Sequence, residues 1–348
     1  MNKLMEAPTT GALVPQWLRG ATRSTLLPIL AILIAMIVIA TVGSPYFLTA
    51  YNIQALARDL SFAMLIAMAM SMLLLLGELD LSVGANASLS GVLAGTLMVQ
   101  YGVPAFLAFV IGALLGGLFG AINGVLVAVL RLNSLVVTIG MTGVYSGIAL
   151  VLTKGKAITG IPEEILFLGK GAVFGIPIPF LFAIALLILV LSALRWTPFG
   201  RYVYAIGNSA DASRLIGIKV DRIRIAVFAG VGMIAGLAGM LYVARLGSSQ
   251  TSIGGEWAIN AIAAAVIGGV ALHGGIGSPL GAAIGAAIIS VISNIIVLFG
   301  VNVYWQSAVS GIVVVLAISL GSFSAMRRAR RERQIKTRDA ENLLKVGA

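Results

Sequence analysis

The sequence predicts an all-α polytopic membrane protein with about ten transmembrane helices, and three observations predict it. Hydrophobic residues make up 59% of the 348 and charged residues only 10%, whereas a water-soluble chain is about half apolar and a quarter charged. So few charges cannot cover a soluble surface of this size, and the apolar excess must face lipid. The apolar runs are long, unalternated and rich in Leu, Ile, Ala and Gly. Backbone in lipid has to close its own hydrogen bonds as helix or barrel, and barrel strands would alternate. Third, the positive charges are segregated: with the N-terminus inside, 18 of the 23 Lys and Arg fall in segments on one side.

The first span is expected at 26–43, behind Lys3, Arg19 and Arg23. It is longer than the core of a cleaved signal peptide and no soluble stretch follows it, so it is read as the first membrane helix. Further spans are expected near 60–77, 81–100, 103–128, 133–153, 176–195, 225–246, 257–272, 277–299 and 303–321. Crossing the hydrocarbon takes about 20 apolar residues. The segments at 81–100 and 257–272 are short or glycine-rich and are expected to be broken or incomplete.

The inside segments hold Lys3, Arg19, Arg23, Arg131, Arg195, Arg201, Arg214, Lys219, Arg222, Arg224 and eight positives after Phe323. On the other side Arg58, Lys154, Lys156, Lys170 and Arg245 are nearly balanced by Asp59, Glu163, Glu164 and Glu256. That bias puts both termini in the cytoplasm and requires an even number of spans. The expected organisation is a cytoplasmic segment 1–25, a membrane domain 26–321 with a cytoplasmic region at 196–224, and a basic tail 322–348. The tail suits a stop-transfer anchor or a lipid contact.

Small residues recur at helix-packing spacing: Gly112, Gly116, Gly120 and Gly124; Gly143 and Gly147; Gly232 and Gly236; Gly277, Gly281 and Gly285. Such ladders let helix backbones approach closely where lipid removes the hydrophobic drive.

Several chemistries are excluded or left without residues. The net charge of +11 sits in topology positions, so nucleic acid is not an expected partner. There is no cysteine, hence no disulfide framework or thiolate metal site. His273 is the single histidine and builds neither a metal site nor a catalytic triad. A phosphate loop needs Gly-x-x-x-x-Gly-Lys-Ser/Thr; the Gly-Lys pairs at Gly155 and Gly169 lack it. The chain is therefore read as non-enzymatic, binding no cofactor, with its energy supplied by another subunit or an ion gradient.

The inside segment 197–224 carries the most information. Gly207 and Asn208 are expected to form a turn, with Asn208 or Ser209 capping a short helix. Asp211 would sit near that helix's positive end; Ala210, Ala212, Ser213 and Leu215 would follow on it, and Gly217, before Ile218, would end it. This is an ordinary interfacial helix or an element that docks in a partner's groove. Glu78 and Asp80 lie where the second span meets the third, with no Lys or Arg near them in sequence. Asp80 followed by Ser82 reads as a helix cap or hinge; an intramembrane carboxylate relay is the alternative. Glu256 and Trp257 open the eighth span at the outer interface, where Trp serves as a belt residue or contacts a binding protein.

Five segments in order resemble the permeases of ribose-type ABC importers. Phe47-Leu-Thr-Ala-Tyr-Asn-Ile resembles the family's entry to the second span. Gly77-Glu-Leu-Asp-Leu-Ser-Val-Gly84 is similar to its Gly-Gly-Ile-Asp-Leu-Ser-Val-Gly turn, with Glu78 in place of a glycine. Asn123-Gly124 with Val136-Val-Thr-Ile-Gly-Met141 continues the likeness. The Asn208–Ile218 stretch resembles the coupling region, with Asp211 interposed before Ala212. Gly268, Gly269, Gly274, Gly275 and Gly277 match the family's glycine turn.

The resemblance spans about residues 45–320. It implies a ten-span fold similar to the vitamin-B12-importer type, in the bacterial inner membrane. It further implies a second permease chain, identical or paralogous, an ABC ATPase subunit using ATP and Mg, and a periplasmic solute-binding protein. Spans two to five and seven to ten would form inverted repeats, a common transporter plan. The solute implied is a sugar or sugar-like compound; a branched-chain amino acid or an ion-coupled secondary transporter is the alternative. Asn86, Ser88, Ser90, Thr138, Ser146 and Asn260 carry groups suited either to a sugar's hydroxyls or to a neighbouring helix.

Overall fold

Unalternated apolar runs can satisfy their backbone in lipid only as helix, and every long element is one. The structure, a computed structural model, describes residues 26–302 together with 305, 308, 311, 312 and 315. The segment 1–25, the tail 322–348 and nearly all of the span expected at 303–321 lie outside the described residues.

In chain order the elements are α1 (Leu26–Gly43), α2 (Ala50–Leu76), α3 (Val83–Val99), α4 (Ala105–Ala128), α5 (Ser134–Thr153), β1 (Ile158–Thr159) and α6 (Glu163–Lys170). A hairpin of β2 (Ala172–Val173) and β3 (Ile176–Pro177) leads into α7 (Ile178–Trp196), α8 (Pro198–Asn208), α9 (Ala210–Leu215) and α10 (Val220–Leu246). Then β4 (Ser248–Ser249), which pairs antiparallel with β1, precedes α11 (Trp257–Ile267) and α12 (Pro279–Leu298). Among the described residues seven helices are long and apolar enough to cross a membrane: α1, α2, α4, α5, α7, α10 and α12. The two segments expected to be incomplete are the short ones, α3 with 17 residues and α11 with 11.

Of the boundaries that depart from the sequence expectation, two do so for identifiable reasons. α2 starts ahead of residue 60, where Thr49 Oγ1 caps it by accepting the Asn52 N–H at 3.3 Å. Each of the charges that interrupt its apolar run finds a partner on another element. Arg58 donates to the Lys170 carbonyl at 3.1 Å, and Asp59 accepts from Arg245 at 2.7 Å. α11 stops at Ile267, short of 272, because Gly268 follows it and Gly269 takes a left-handed φ of 83°.

The core is centred on α2, whose second half is almost wholly enclosed, with α10, α11, α12 and α7 around it. α4 meets α10 through interleaved glycines. A Cβ on Gly116 would lie 2.4 Å from the Gly232 carbonyl oxygen, and one on Gly236 would lie 2.8 Å from that of Gly112. Two of the sequence ladders thus pack on each other, as close backbone approach requires. The pair on α5 does not: a Cβ on Gly143 or Gly147 would meet nothing within 4 Å. That ladder is not used inside this chain, and α5 with α1 is among the least enclosed of the long helices.

Candidate functional site

Three segments far apart in sequence meet at one end of the bundle. Gly77 closes α2 in left-handed conformation (φ 77°), its N–H donating toward the last turn of the helix. There the Leu75 carbonyl accepts the Gly275 N–H at 2.9 Å. α8 lies across this contact: a Cβ on Gly207 would sit 1.8 Å from the Leu75 carbonyl oxygen and 2.5 Å from the Gly275 nitrogen. Tyr204 donates its hydroxyl to the Gly277 carbonyl at 3.0 Å. The turn expected at Gly207–Asn208 is therefore not a turn. Both residues finish α8, because the backbone there must pass flat against the ends of α2 and the glycine loop.

The short helix follows at once. Ser209, not Asn208, caps α9, accepting the Ala212 N–H at 3.2 Å, while Asn208 donates back to the Tyr204 carbonyl at 2.8 Å. Gly217 ends the element at φ 86°, and the Ile218 N–H bonds to the Ser213 carbonyl at 3.0 Å. Leu215 is 89% and Ile216 76% exposed. Asp211 points outward and pairs with Arg214 at 3.4 Å. α9 thus presents a small apolar tip on a helix fixed at both ends.

Behind it the 77–84 turn is tied into the core. Asp80 is fully buried; its Oδ1 accepts from the Ser82 N–H at 2.7 Å and the Ser82 hydroxyl at 2.6 Å, and its Oδ2 accepts from Asn123 at 3.2 Å. Burial pushes its carboxyl above the usual carboxylate range, and the bonds from Ser82 and Asn123 oppose that rise. Ser82 precedes the first residue of α3, but its side chain makes no capping bond. Asp80 closes the turn by bonding the cap residue itself, and through Asn123, which accepts the Tyr145 hydroxyl at 2.9 Å, it joins α4 and α5. Glu78 does have a cation: Arg224, near the start of α10, reaches it at 3.1 Å. No local pattern marks that partner. Gly84 packs against the Gly254 carbonyl, fixing the start of α3 on the loop before α11.

At the opposite end, α2, α10, α11 and α12 line an open-sided cavity of about 650 Å³. Phe62, Tyr242 and Trp257 form an aromatic cluster in its wall, with ring centroids 4.9 Å (Phe62–Tyr242), 5.6 Å (Tyr242–Trp257) and 6.1 Å (Phe62–Trp257) apart. Arg245, paired with Asp59, stands 5.6 Å from the Phe62 centroid and 5.8 Å from that of Tyr242. Further along, the Asn52 and Asn294 amides bond reciprocally at 3.1 and 2.8 Å. Asn260 and Ser290 also line the space. No group of three or more His, Asp or Glu side chains that would hold a metal occurs among the described residues.

A family model described as the branched-chain amino acid transport system permease component matches residues 52–318. The chain belongs to this family of transport permeases. It is 36% identical over 290 residues to the ribose import permease protein RbsC of Bacillus subtilis, covering 83% of this chain and 90% of the relative. It is 35% identical over 301 residues to the L-arabinose ABC transporter permease protein AraH of Azospirillum brasilense (85% and 88% covered). It is 35% identical over 293 residues to the D-allose transport system permease protein AlsC of Escherichia coli (84% and 89% covered). No solved structure gives a significant match.

In this permease the polar residues singled out on the spans divide into two groups. Asn86 donates to the Gly116 carbonyl at 3.0 Å and accepts from Ser90 at 3.1 Å. Ser88 donates to the Gln250 and Thr251 carbonyls at 3.3 and 3.2 Å. Thr138 donates to Ser134 at 2.8 Å and accepts the Leu81 N–H at 3.1 Å. These four are enclosed among helices, and Ser146 lies part-buried on α5. Asn260 alone of the six faces the cavity. Asn52, Asp59, Phe62, Tyr242, Arg245, Ser290 and Asn294 were not singled out by sequence reasoning as cavity residues. The one available signal was the pair of charges at Arg58 and Asp59 inside an otherwise apolar stretch.

Proposed function

We propose that this permease is the membrane-spanning subunit of an ATP-driven importer for a sugar or sugar-like solute. The observation that carries the reading is the cavity. Aromatic faces beside amide, hydroxyl and charged side chains are the chemistry that holds a hydroxylated ring, whose C–H face is apolar and whose rim needs hydrogen bonds. The sugars named for the relatives agree with it.

The working assembly comprises a second permease chain, identical or paralogous, an ABC ATPase subunit using ATP and Mg, and a periplasmic binding protein. Both termini lie in the cytoplasm, in a ten-helix fold similar to the vitamin-B12-importer type. In each half a helix of 27 residues, α2 or α10, is followed by a short one, α3 or α11. That correspondence supports two inverted repeats, and short helices in matching positions mark a transport site. α9 is the coupling element: its Leu215 and Ile216 enter a groove of the ATPase. Closure of the ATPase dimer pushes on α9, and α8 passes the displacement to the ends of α2 and the glycine loop.

The test is co-purification in mild detergent, then reconstitution with the ATPase and binding protein and uptake of labelled ribose, arabinose and allose, with leucine as control. ATP-dependent sugar uptake that Leu215→Asp abolishes, together with ATPase recovery, is the expected result. Leucine uptake in place of sugar, or sugar uptake by the chain alone in an ion gradient, overturns the reading.

A further inference from the structure

Two long helices of equal length run antiparallel through the fold, α2 and α10 with 27 residues each. A carboxylate–guanidinium pair joins them near each end of their contact. At the α9 end Glu78, just past α2, meets Arg224 near the start of α10 at 3.1 Å. At the cavity end Asp59 of α2 meets Arg245 in the last turn of α10 at 2.7 Å. Both times the acid belongs to the α2 side and the arginine to α10. At about 1.5 Å per residue the two pairs stand roughly 30 Å apart, and the Phe62–Tyr242 ring contact lies between them.

The stability of the two helices does not explain the pair at the α9 end. Glu78 follows the C-terminus of α2, where the helix dipole disfavours a carboxylate, and Arg224 lies near the N-terminus of α10, where a cation gains nothing. Each is answered by the other, with side chains 11% and 20% exposed. The neighbouring Arg214 is taken by Asp211 and Asp221. Glu78 is also fixed to α2 by its backbone. Its N–H donates to the Leu73 carbonyl at 2.9 Å and the Gly77 N–H to that of Leu74 at 2.9 Å, the bonding that seals a helix end at a left-handed glycine. A force on the Glu78 carboxylate is therefore a force on α2.

α9 reaches both helices. Through α8 it bears on the end of α2, and only residues 216–219 separate it from α10, with the Val220 N–H donating to the Ile218 carbonyl at 2.9 Å. Arg214 of α9 adds its bond to Asp221 of α10 at 3.2 Å. Two pushes on two helices act together only if the helices cannot slide past one another. We infer that Glu78 and Arg224 are positioning residues which, with Asp59 and Arg245 at the far end, clamp α2 and α10 into one beam, so that a displacement of α9 arrives as a single motion at the cavity wall carried by Phe62, Tyr242 and Arg245. The inference rests on the coupling role proposed for α9.

The test uses the full chain reconstituted with its ATPase and binding protein and reads labelled-sugar uptake per ATP hydrolysed. Glu78→Gln and Arg224→Gln should each lower that ratio about tenfold, the size expected when one link in a coupling path is removed. The double variant should lose no more than either single one, since the pair is already gone after the first change. Losses that add overturn the inference. So does an unaltered ratio with both rates falling in step with the yield of folded protein, because the pair would then be structural only. The chain has no cysteine of its own, so Glu78→Cys with Arg224→Cys can be joined by a bis-methanethiosulfonate linker. Unlinked, this variant should be uncoupled; linked, it should recover most of the wild-type ratio and lose it again on reduction. A linked form that stays uncoupled overturns the clamp, and one in which uptake stops makes the pair a gate that must part and overturns it too. Sugar uptake by the wild type without ATP refutes the coupling role of α9 instead. The linker is then read on that uptake, where a block overturns the beam and undiminished uptake upholds it.

Discussion

The two ends of this permease are built from different materials. At the end bearing α9, the closest contacts are backbone against backbone, Gly207 on the Leu75 carbonyl and Gly275 donating to that same carbonyl, with the Asp80 and Glu78 side-chain bonds behind them. At the cavity end they are side chain against side chain: Phe62, Tyr242 and Trp257 in one cluster, Asp59 with Arg245, Asn52 with Asn294. A backbone junction admits no slack, because a single added carbon meets a carbonyl. It suits a part that must transmit displacement as a rigid body. A side-chain surface can be altered one group at a time, which suits a part that must fit a particular solute. Under the proposed function, selectivity and coupling can then change independently.

The comparison breaks most readily at Gly207. Gly207→Val should destabilise the permease by roughly 3 kcal/mol or more, because an overpacked contact against a main-chain oxygen has nowhere to relax. Uptake should vanish with it. Gly230 is the control. A Cβ there meets nothing within 4 Å, so Gly230→Ala should be neutral or stabilise by about 0.5–1 kcal/mol. Thermal unfolding in detergent, followed by size exclusion, compares the two; equal melting temperatures would mean that the junction is not rigid.

Asp80 comes next. Removing it in Asp80→Ala takes the acceptor from the Ser82 N–H and hydroxyl in an enclosed site and leaves the Asn123 amide only its bond to the Ser82 hydroxyl oxygen at 2.8 Å, and an unsatisfied buried group costs about 1–3 kcal/mol. Asp80→Asn retains an acceptor for Ser82 and should lose less. Measured side by side, the pair separates the tie between the turn, α4 and α5 from the charge itself. If the two variants are equally destabilised, the charge rather than the hydrogen-bond pattern holds the turn.

The contrast between the ends also explains what could be read from the sequence. The α9 end was legible because backbone junctions demand glycine at fixed spacings, as in Gly77–Gly84 and Gly268–Gly277, and those spacings survive as motifs. Even there the reading of Gly207 and Asn208 as a turn misplaced the glycine's purpose: close approach within a helix, not reversal of the chain. The Gly143 and Gly147 ladder looks like its counterpart on α4, yet only the structure shows which ladder has a partner. The cavity was nearly illegible. Asn52, Tyr242 and Asn294 are each ordinary residues on apolar helices, and nothing local says that folding brings them together. The Glu78–Arg224 pair was missed for the same reason, since its two halves come from the end of α2 and the start of α10.

The smallest effect expected is at the cavity mouth. Asn52 and Asn294 exchange two hydrogen bonds across the start of α2 and the end of α12, and Asn52 also donates to the Phe47 carbonyl at 2.9 Å. Each alanine substitution should cost about 1 kcal/mol, near the net worth of a hydrogen bond. The double variant should cost less than the two single costs added together, since after the first loss the second amide has no partner left. Unfolding in detergent gives the cycle, and uptake is read on the same preparations. A coupled pair whose loss leaves stability nearly intact but shifts the apparent solute affinity would place the two amides in the pathway wall. A coupled pair with unaltered uptake would make them a brace between helices, and the side-chain end would then share the rigid character of the other.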